Sequence, residues 1–199
     1  MEHPAAPILR EYARNGCPVD LGEDWTLEQL EAAVERGPHA SALQPDAIAQ
    51  IQVEAREKET QGFAKIFKWE ELKRNLPAKL KLSPLAMIPH KTRGYRAILD
   101  LSFALMVAGF LLPSVNEASK ECAPMEAMNQ IGQVLPRIIE AMAHAPTENG
   151  SILMSKLDIK DGFWRMVCRL GEEWNFAYVL PNKPGEPIEI VVPSALQMG

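Results

Sequence analysis

Residues 156–166 read KLDIKDGFWRM, and this stretch decides how the rest of the chain is interpreted. An apolar run ends at Asp158, a second aspartate follows at Asp161, and the rings of Phe163 and Trp164 come directly after it. An aspartate at the end of a buried strand can hold a divalent cation, because hard cations prefer oxygen ligands and a sheet fixes the carboxylate. Asp161 can equally cap a helix that begins at the next residue. From these residues alone, both interpretations stay open.

The composition is that of a folded chain of ordinary domain size. Its 199 residues are 47% hydrophobic and 24% charged, which excludes the disordered class and suffices for a core. The longest apolar run, residues 103–115, is too short to span a bilayer. The N-terminus lacks the pattern of a signal peptide, and the three cysteines are too widely spaced to indicate a disulfide framework or a zinc site. We therefore expect an intracellular protein without a membrane partner, with no choice between cytoplasm and nucleus.

The charge is distributed unevenly along the chain. The net charge is −5, yet residues 61–96 hold nine Lys or Arg side chains against two acids, Glu70 and Glu71. A basic segment inside an acidic chain is a local electrostatic feature that suits a polyanionic partner. Charge alone is equally compatible with an ordinary solvated face.

The N-terminal sixty residues predict helices. Residues 24–37 combine a capping box at Thr26 and Gln29 with an apolar stripe, namely Leu27, Leu30 and Val34. A second helix is predicted over residues 44–62, and the glycine at position 62 is its expected end. We expect the side chains of Ile48, Ile51 and Val53 to face the core. A short helical turn is predicted at residues 69–75. We expect residues 1–60 to form a helical extension or connector.

The rest of the chain, residues 61–199, predicts strands around one more helix. The predicted elements are a hairpin of residues 85–88 and 95–101, a helix over 124–146 divided or kinked at Pro136, a buried strand over 151–158 followed by a short helix, and a hairpin of residues 175–181 and 188–193. This order predicts an α+β fold with a mainly antiparallel sheet.

The motif at Asp158 resembles the first catalytic motif of retroelement reverse transcriptases, LD-x-x-D-A-[FY] in that family and LDIKDGF here. The resemblance runs in order over roughly residues 60–199. It implies that Asp158 is catalytic and binds magnesium, that Asp161 and Gly162 border the incoming triphosphate, and that Phe163 contacts the sugar and excludes a 2′-hydroxyl. Gly162 stands where alanine is usual, and it is small as well.

Residues 83–102, SPLAMIPHKTRGYRAILDLS, resemble the fingers hairpin of the same family. The resemblance implies that Lys91 and Arg96 bind the nucleotide triphosphate, which fits phosphoryl transfer because cations must surround the leaving pyrophosphate. Ser102 stands where the family has arginine, and Asp100 matches an acid that is structural or touches template. The candidate template contacts are Lys79, Lys81, His90, Arg93 and Asp100.

Residues 191–199, VVPSALQMG, resemble the family segment written LPQG or LPFG, with Gln197 in place of proline. The resemblance implies that Met198 and Gly199 lie beside the nucleotide and the template base. Together, the three motifs imply the fingers and an incomplete palm of a right-hand polymerase, preceded by a short helical segment. The implied substrates and partners are a deoxynucleotide triphosphate and an RNA or DNA template-primer.

The implied cofactor is a pair of magnesium ions. At least two carboxylates on rigid elements are needed to bind both ions. The family places its remaining aspartates in a [YF]-x-D-D hairpin, whereas this sequence contains no adjacent aspartate pair. We therefore expect a truncated polymerase domain that is inactive alone and that pairs with the missing C-terminal part.

Two other hypotheses remain. In one, the chain is a non-catalytic remnant that binds nucleic acid or a protein through residues 61–96. In the other, it is an unrelated α+β interaction domain in which Asp161 caps a helix and Lys91 and Arg96 are ordinary surface charges.

Overall fold

A computed structural model describes residues 6–197, except for positions 20, 93, 121–128, 130, 131, 147, 149, 154, 156–158, 160 and 161. The chain divides into two compact units. One consists of Met1–Ser119 with Asp161–Gly199, and the other is Lys120–Lys160.

The described helices of the larger unit lie mostly in its N-terminal half. They are α1 (Ala6–Asn15), α2 (Leu27–Arg36), α3 (Pro45–Thr60), α4 (Trp69–Leu72) and α5 (Val115–Ala118), with 3₁₀ turns at Ala40–Leu43, Phe163–Arg165 and Glu173–Phe176. The smaller unit contains α6 (Val134–Ala143). Pro136 lies in the first turn of α6, where its missing N–H costs no helix hydrogen bond.

Helix α2 begins as the sequence predicts. The Thr26 N–H donates to Gln29 Oε1 at 2.9 Å and the Gln29 N–H donates to Thr26 Oγ1 at 3.3 Å, which completes the capping box. Leu30 and Val34 are buried, whereas Leu27 at the first turn is exposed. Two of the three residues of the apolar stripe are therefore part of the core.

Helix α3 also matches its predicted range, and Pro45 occupies the first helical position that proline favours. Ile48 and Ile51 are buried, but the side chain of Val53 is 59% exposed. The inward assignment of Val53 is wrong, because two residues after Ile51 the helix has turned by about 200° and points away from the core.

Three small antiparallel sheets make up the described strands. The first has the order β1–β7–β6, with β1 at Ala64–Lys68, β6 at Tyr178–Val179 and β7 at Glu189–Pro193. The second pairs β2 (Leu85–His90) with β3 (Gly94–Leu99), and the third pairs β4 (Leu105–Val107) with β5 (Phe110–Leu112). The mixed helical and antiparallel fold confirms the α+β class, and both predicted hairpins are confirmed.

The predicted buried strand over residues 151–158 is not found where the structure describes it. Residues 151–153 and 155 lie outside any strand, and the side chain of Leu153 is 90% exposed. No strand lies among the described residues of the smaller unit. Asp158 lies outside the described residues.

The larger unit has two apolar clusters that link the N-terminal helices to the sheets. In the first, Val19, Leu21 and Ile51 pack with Met87 and Val191. The second joins residues of α2 to Trp69 and to Ile190 of β7. The N-terminal sixty residues therefore share cores with the following strands, while the predicted domain boundary at residue 60 stays a prediction. Among the described helices, none is long and apolar enough to cross a membrane.

Candidate nucleotide and nucleic-acid interface

The β2–β3 hairpin has one face in the core and one toward solvent. Successive side chains of a strand alternate between faces, so the pair Met87 and Ala97 shares one face and the pair Ile88 and Arg96 shares the other. Met87 is fully buried, whereas Ile88 and Arg96 are exposed. The pairing register of the two strands thus places the Arg96 side chain on the solvent face of the hairpin, while the opposite face packs in the core.

The tip of this hairpin is basic and exposed. His90 and Lys91 are both exposed, and the N–H of Thr92 donates to His90 Nδ1 at 3.3 Å. Gly94 closes the turn with φ +75°, a conformation that glycine adopts without strain. No ion pair among the described residues includes Lys91. A cation held at a turn without a carboxylate partner suits a phosphate ligand.

Gln50 of α3 fixes the outer edge of β3. Its Nε2 donates to the Tyr95 carbonyl at 2.8 Å, and the Tyr95 N–H donates to its Oε1 at 3.0 Å. The amide therefore takes the place of a neighbouring strand at this edge and ties the basic hairpin to helix α3. Sequence reasoning missed Gln50, because its partner lies far along the chain and a glutamine inside a helix has no local signature.

Gln50→Ala is expected to destabilise the larger unit by about 1–3 kcal/mol, because it leaves both backbone groups of Tyr95 without this partner. The Tyr95 amide should exchange hydrogen markedly faster, as measured by hydrogen–deuterium exchange. Glu57→Ala, an exposed change on the same helix, is the control and should leave that amide unchanged. Equal protection of Tyr95 in both variants would contradict the role given to Gln50.

The carboxylate of Asp100 contacts His39 of the N-terminal region. Its Oδ2 lies 3.0 Å from His39 Nε2, and its Oδ1 accepts from the Ser102 N–H at 3.1 Å. Because both oxygens are used, the geometry favours the structural role among the two that the resemblance implies for Asp100.

Two of the candidate template lysines precede the hairpin. The Lys79 N–H donates to Asp24 Oδ1 at 3.1 Å, and Lys79 takes the uncommon φ of +65°. Lys81 is only 4% exposed, and its ammonium donates to the Leu21 carbonyl. The predicted template contact of Lys81 conflicts with this burial, because the ammonium faces the protein interior. We therefore leave Lys81 out of the interface.

After Asp161, which like Asp158 lies outside the described residues, the chain forms a 3₁₀ turn at Phe163–Arg165 that is shorter than the predicted helix. The Phe163 side chain is 46% exposed, whereas Trp164 is half-buried. The Trp164 ring lies 6.1 Å from that of Phe63, and the Lys58 ammonium lies 4.8 Å from its centroid. Trp164 thus anchors the turn and leaves the Phe163 ring available to a ligand.

The structure brings this turn and the C-terminal motif side by side. The Leu196 N–H donates to the Met166 carbonyl at 2.9 Å, and the Cys168 N–H donates to the Ser194 carbonyl at 3.0 Å. Val167 and Ala195 form an antiparallel bridge between these two bonds. The segment that follows Phe163 and the segment around Ala195 therefore lie side by side in the larger unit, which spacing along the sequence could not establish.

Five of the predicted site residues lie outside the described part of the chain, namely Asp158, Asp161, Met198, Gly199 and Arg93. Among the described residues, no group of three or more His, Cys, Asp or Glu side chains is arranged to hold a metal ion. The magnesium site therefore stays a prediction.

The fold places the protein in the α+β class, and its hairpin β2–β3 presents basic side chains to solvent. No protein-family model, no curated protein and no solved structure matches the chain. The resemblance to reverse transcriptases thus rests on the three sequence motifs alone.

Proposed function

We propose that this chain is the fingers and first palm portion of a retroelement reverse transcriptase, and that hairpin β2–β3 binds the phosphates of its substrates. The observation that supports this most is the hairpin itself. Its core face is buried and its edge is held by Gln50, while His90, Lys91 and Arg96 are exposed at or near the tip. A rigid hairpin with a basic tip suits binding of a polyphosphate or a nucleic-acid backbone.

A contact between the segment that follows Phe163 and the C-terminal segment also supports the proposal. The resemblance gives Phe163 and Met198 neighbouring roles, one at the sugar and one beside the nucleotide base. The Leu196 N–H donates to the Met166 carbonyl, which joins the backbone three residues after Phe163 to a residue that precedes Met198 by two positions in the sequence.

Each side chain has a distinct part in the proposed reaction. Lys91 and Arg96 neutralise the triphosphate and orient it, and positioning with charge neutralisation is most of the catalysis in phosphoryl transfer. The exposed ring of Phe163 packs against the sugar and leaves no room for a 2′-hydroxyl. Magnesium held by Asp158 would supply further charge neutralisation at the reacting phosphate.

These 199 residues are expected to yield no product in a primer-extension assay with magnesium and all four deoxynucleotides. The reason is that they contain no adjacent aspartate pair to complete the ligands of two metal ions. A complete reverse transcriptase on the same template-primer is the positive control. Magnesium-dependent extension that disappears in Asp158→Asn would contradict this expectation.

The second candidate function is non-catalytic binding of nucleic acid or a protein through residues 61–96. The exposed side chains of Lys65 and Arg74 favour it, because no ion pair among the described residues includes either. By contrast, Lys68 and Lys73 lie 3.4 Å and 2.8 Å from the carboxylates of Glu71 and Glu70. Two acidic residues of helix α4 therefore neutralise part of the positive charge of the basic segment.

Measuring the binding of a free nucleotide and of nucleic acid separately distinguishes the two candidate functions. If the chain is a polymerase portion, a deoxynucleotide triphosphate with magnesium should bind, and Lys91→Ala should weaken that binding. If it is a non-catalytic binder, nucleic acid should bind and the free nucleotide should not. Binding of neither would favour an unrelated interaction domain.

A further inference from the structure

Two cysteines that are far apart in the sequence meet in the larger unit. Cys17 and Cys168 form a parallel bridge, in which the Cys17 N–H donates to the Val167 carbonyl at 2.7 Å and the Arg169 N–H donates to the Cys17 carbonyl at 2.9 Å. Directly paired residues on neighbouring strands lie about 4.8 Å apart and point to the same face. That separation lies within the range of about 4.4–6.8 Å that a disulfide spans between Cα atoms.

The close approach depends on the residue before Cys17. Gly16 has φ +82°, and a Cβ at this position would lie 2.5 Å from the Cys168 carbonyl oxygen. Both thiols are free and buried. The backbone is thus shaped to hold the two sulfur-bearing residues against each other.

We propose that Cys17 and Cys168 are a dithiol that a small-molecule disulfide, such as oxidised glutathione, converts into an intramolecular disulfide. The bond would tie the segment after α1 to the extended segment around Cys168. The proposal is independent of the proposed polymerase function, because it rests only on the pairing of these two residues.

The step balances as a thiol–disulfide exchange. The Cys17 thiol loses its proton and attacks one sulfur of the small disulfide, which releases one small thiol and leaves a mixed disulfide on Cys17. The Cys168 thiol then loses its proton and attacks the Cys17 sulfur, which releases the second small thiol. The protein gives up two protons and two electrons, and the oxidant takes them up to become two thiols.

The local environment makes this exchange slow at neutral pH. Burial raises the pKa of the Cys17 thiol, and burial together with the nearby Cys17, Glu173 and Glu172 raises the pKa of Cys168 to about 12. Arg169 is the nearby cation, and its guanidinium lies 3.6 Å from Glu11 and 3.9 Å from Glu172. Because only the thiolate reacts, the rate should rise steadily from pH 7 to pH 9.

The test exposes the full chain to excess oxidised glutathione at pH 9, blocks the remaining thiols and maps the digest by mass spectrometry. We expect a peptide pair joined through Cys17 and Cys168, lighter by two hydrogens than the reduced pair. The Cys122→Ser variant should give the same link, whereas Cys17→Ser and Cys168→Ser should not. If a serine variant fails to fold, the alanine variant at the same position replaces it.

Thermal unfolding gives a second readout on the same samples. Closing so long a loop should raise the Tm of the oxidised protein by at least about 5 °C, in the wild type and in Cys122→Ser alike, and a reducing agent should reverse the shift. A link through Cys122, glutathione retained on Cys17 or Cys168 without an internal bond, or two free thiols after prolonged oxidation would each overturn the proposal.

Discussion

Gly16→Ala is expected to destabilise the larger unit by about 2–4 kcal/mol, from the strain of a left-handed alanine and the displacement of packed backbone. A Cβ at residue 16 would lie within 2.6 Å of three backbone atoms of Cys168 and Arg169, one of which is the Arg169 nitrogen that donates to the Cys17 carbonyl. For a chain of this size the loss corresponds to a fall in Tm of roughly 5–15 °C, measured by calorimetry or circular dichroism.

Gly109→Ala is the matched control for Gly16→Ala. Gly109 has a φ of +84°, nearly that of Gly16, but nothing lies within 4 Å of a Cβ at this position. Alanine there should cost only the backbone strain of about 1–2 kcal/mol. Equal losses at the two glycines would show that the N-terminal segment does not pack closely against residues 168–169.

The local elements of this fold were open to prediction from the sequence. The capping box of α2, the start of α3 at Pro45 and both predicted hairpins depend on residues close together in the chain. Local patterns of this kind specify where a helix begins or a chain reverses, whatever the surrounding fold.

Features that depend on distant partners were not predicted. Strand β1 was missed because two of its five residues are lysines, and only the pairing of residues 64–68 with β7 marks them as a strand. The burial of Lys81 and the pairing of Cys17 with Cys168 have the same origin, since each needs a partner far along the chain. A sequence pattern shows which residues are apolar or charged, but it does not show which of them are in contact in the folded structure.

The candidate site divides in the same way. The exposure of Arg96 follows from the alternation of side chains along the hairpin, and that of Lys91 from its position at the tip. The attachment of the hairpin to helix α3 through Gln50 does not follow from any local signal, and neither does the hydrogen bond between Leu196 and Met166.

The most direct test of the central proposal is the affinity of the chain for an RNA–DNA template-primer, measured as a function of salt. Lys91→Ala combined with Arg96→Ala should lower that affinity roughly tenfold or more near 0.1 M salt and reduce the salt slope by about two, because two phosphate contacts are lost. The loss should be uniform across nucleic-acid sequences, since phosphate contacts carry no base information.

Lys68→Ala combined with Lys73→Ala removes the same charge from the same basic segment and serves as the matched control. Both lysines already pair with Glu71 and Glu70, so this variant should bind within about twofold of the wild type. Strong, salt-dependent binding that falls only in the Lys91 and Arg96 variant is the result we predict. Equal loss in the two variants, or no loss in either, would contradict a specific phosphate-binding hairpin and with it the polymerase proposal.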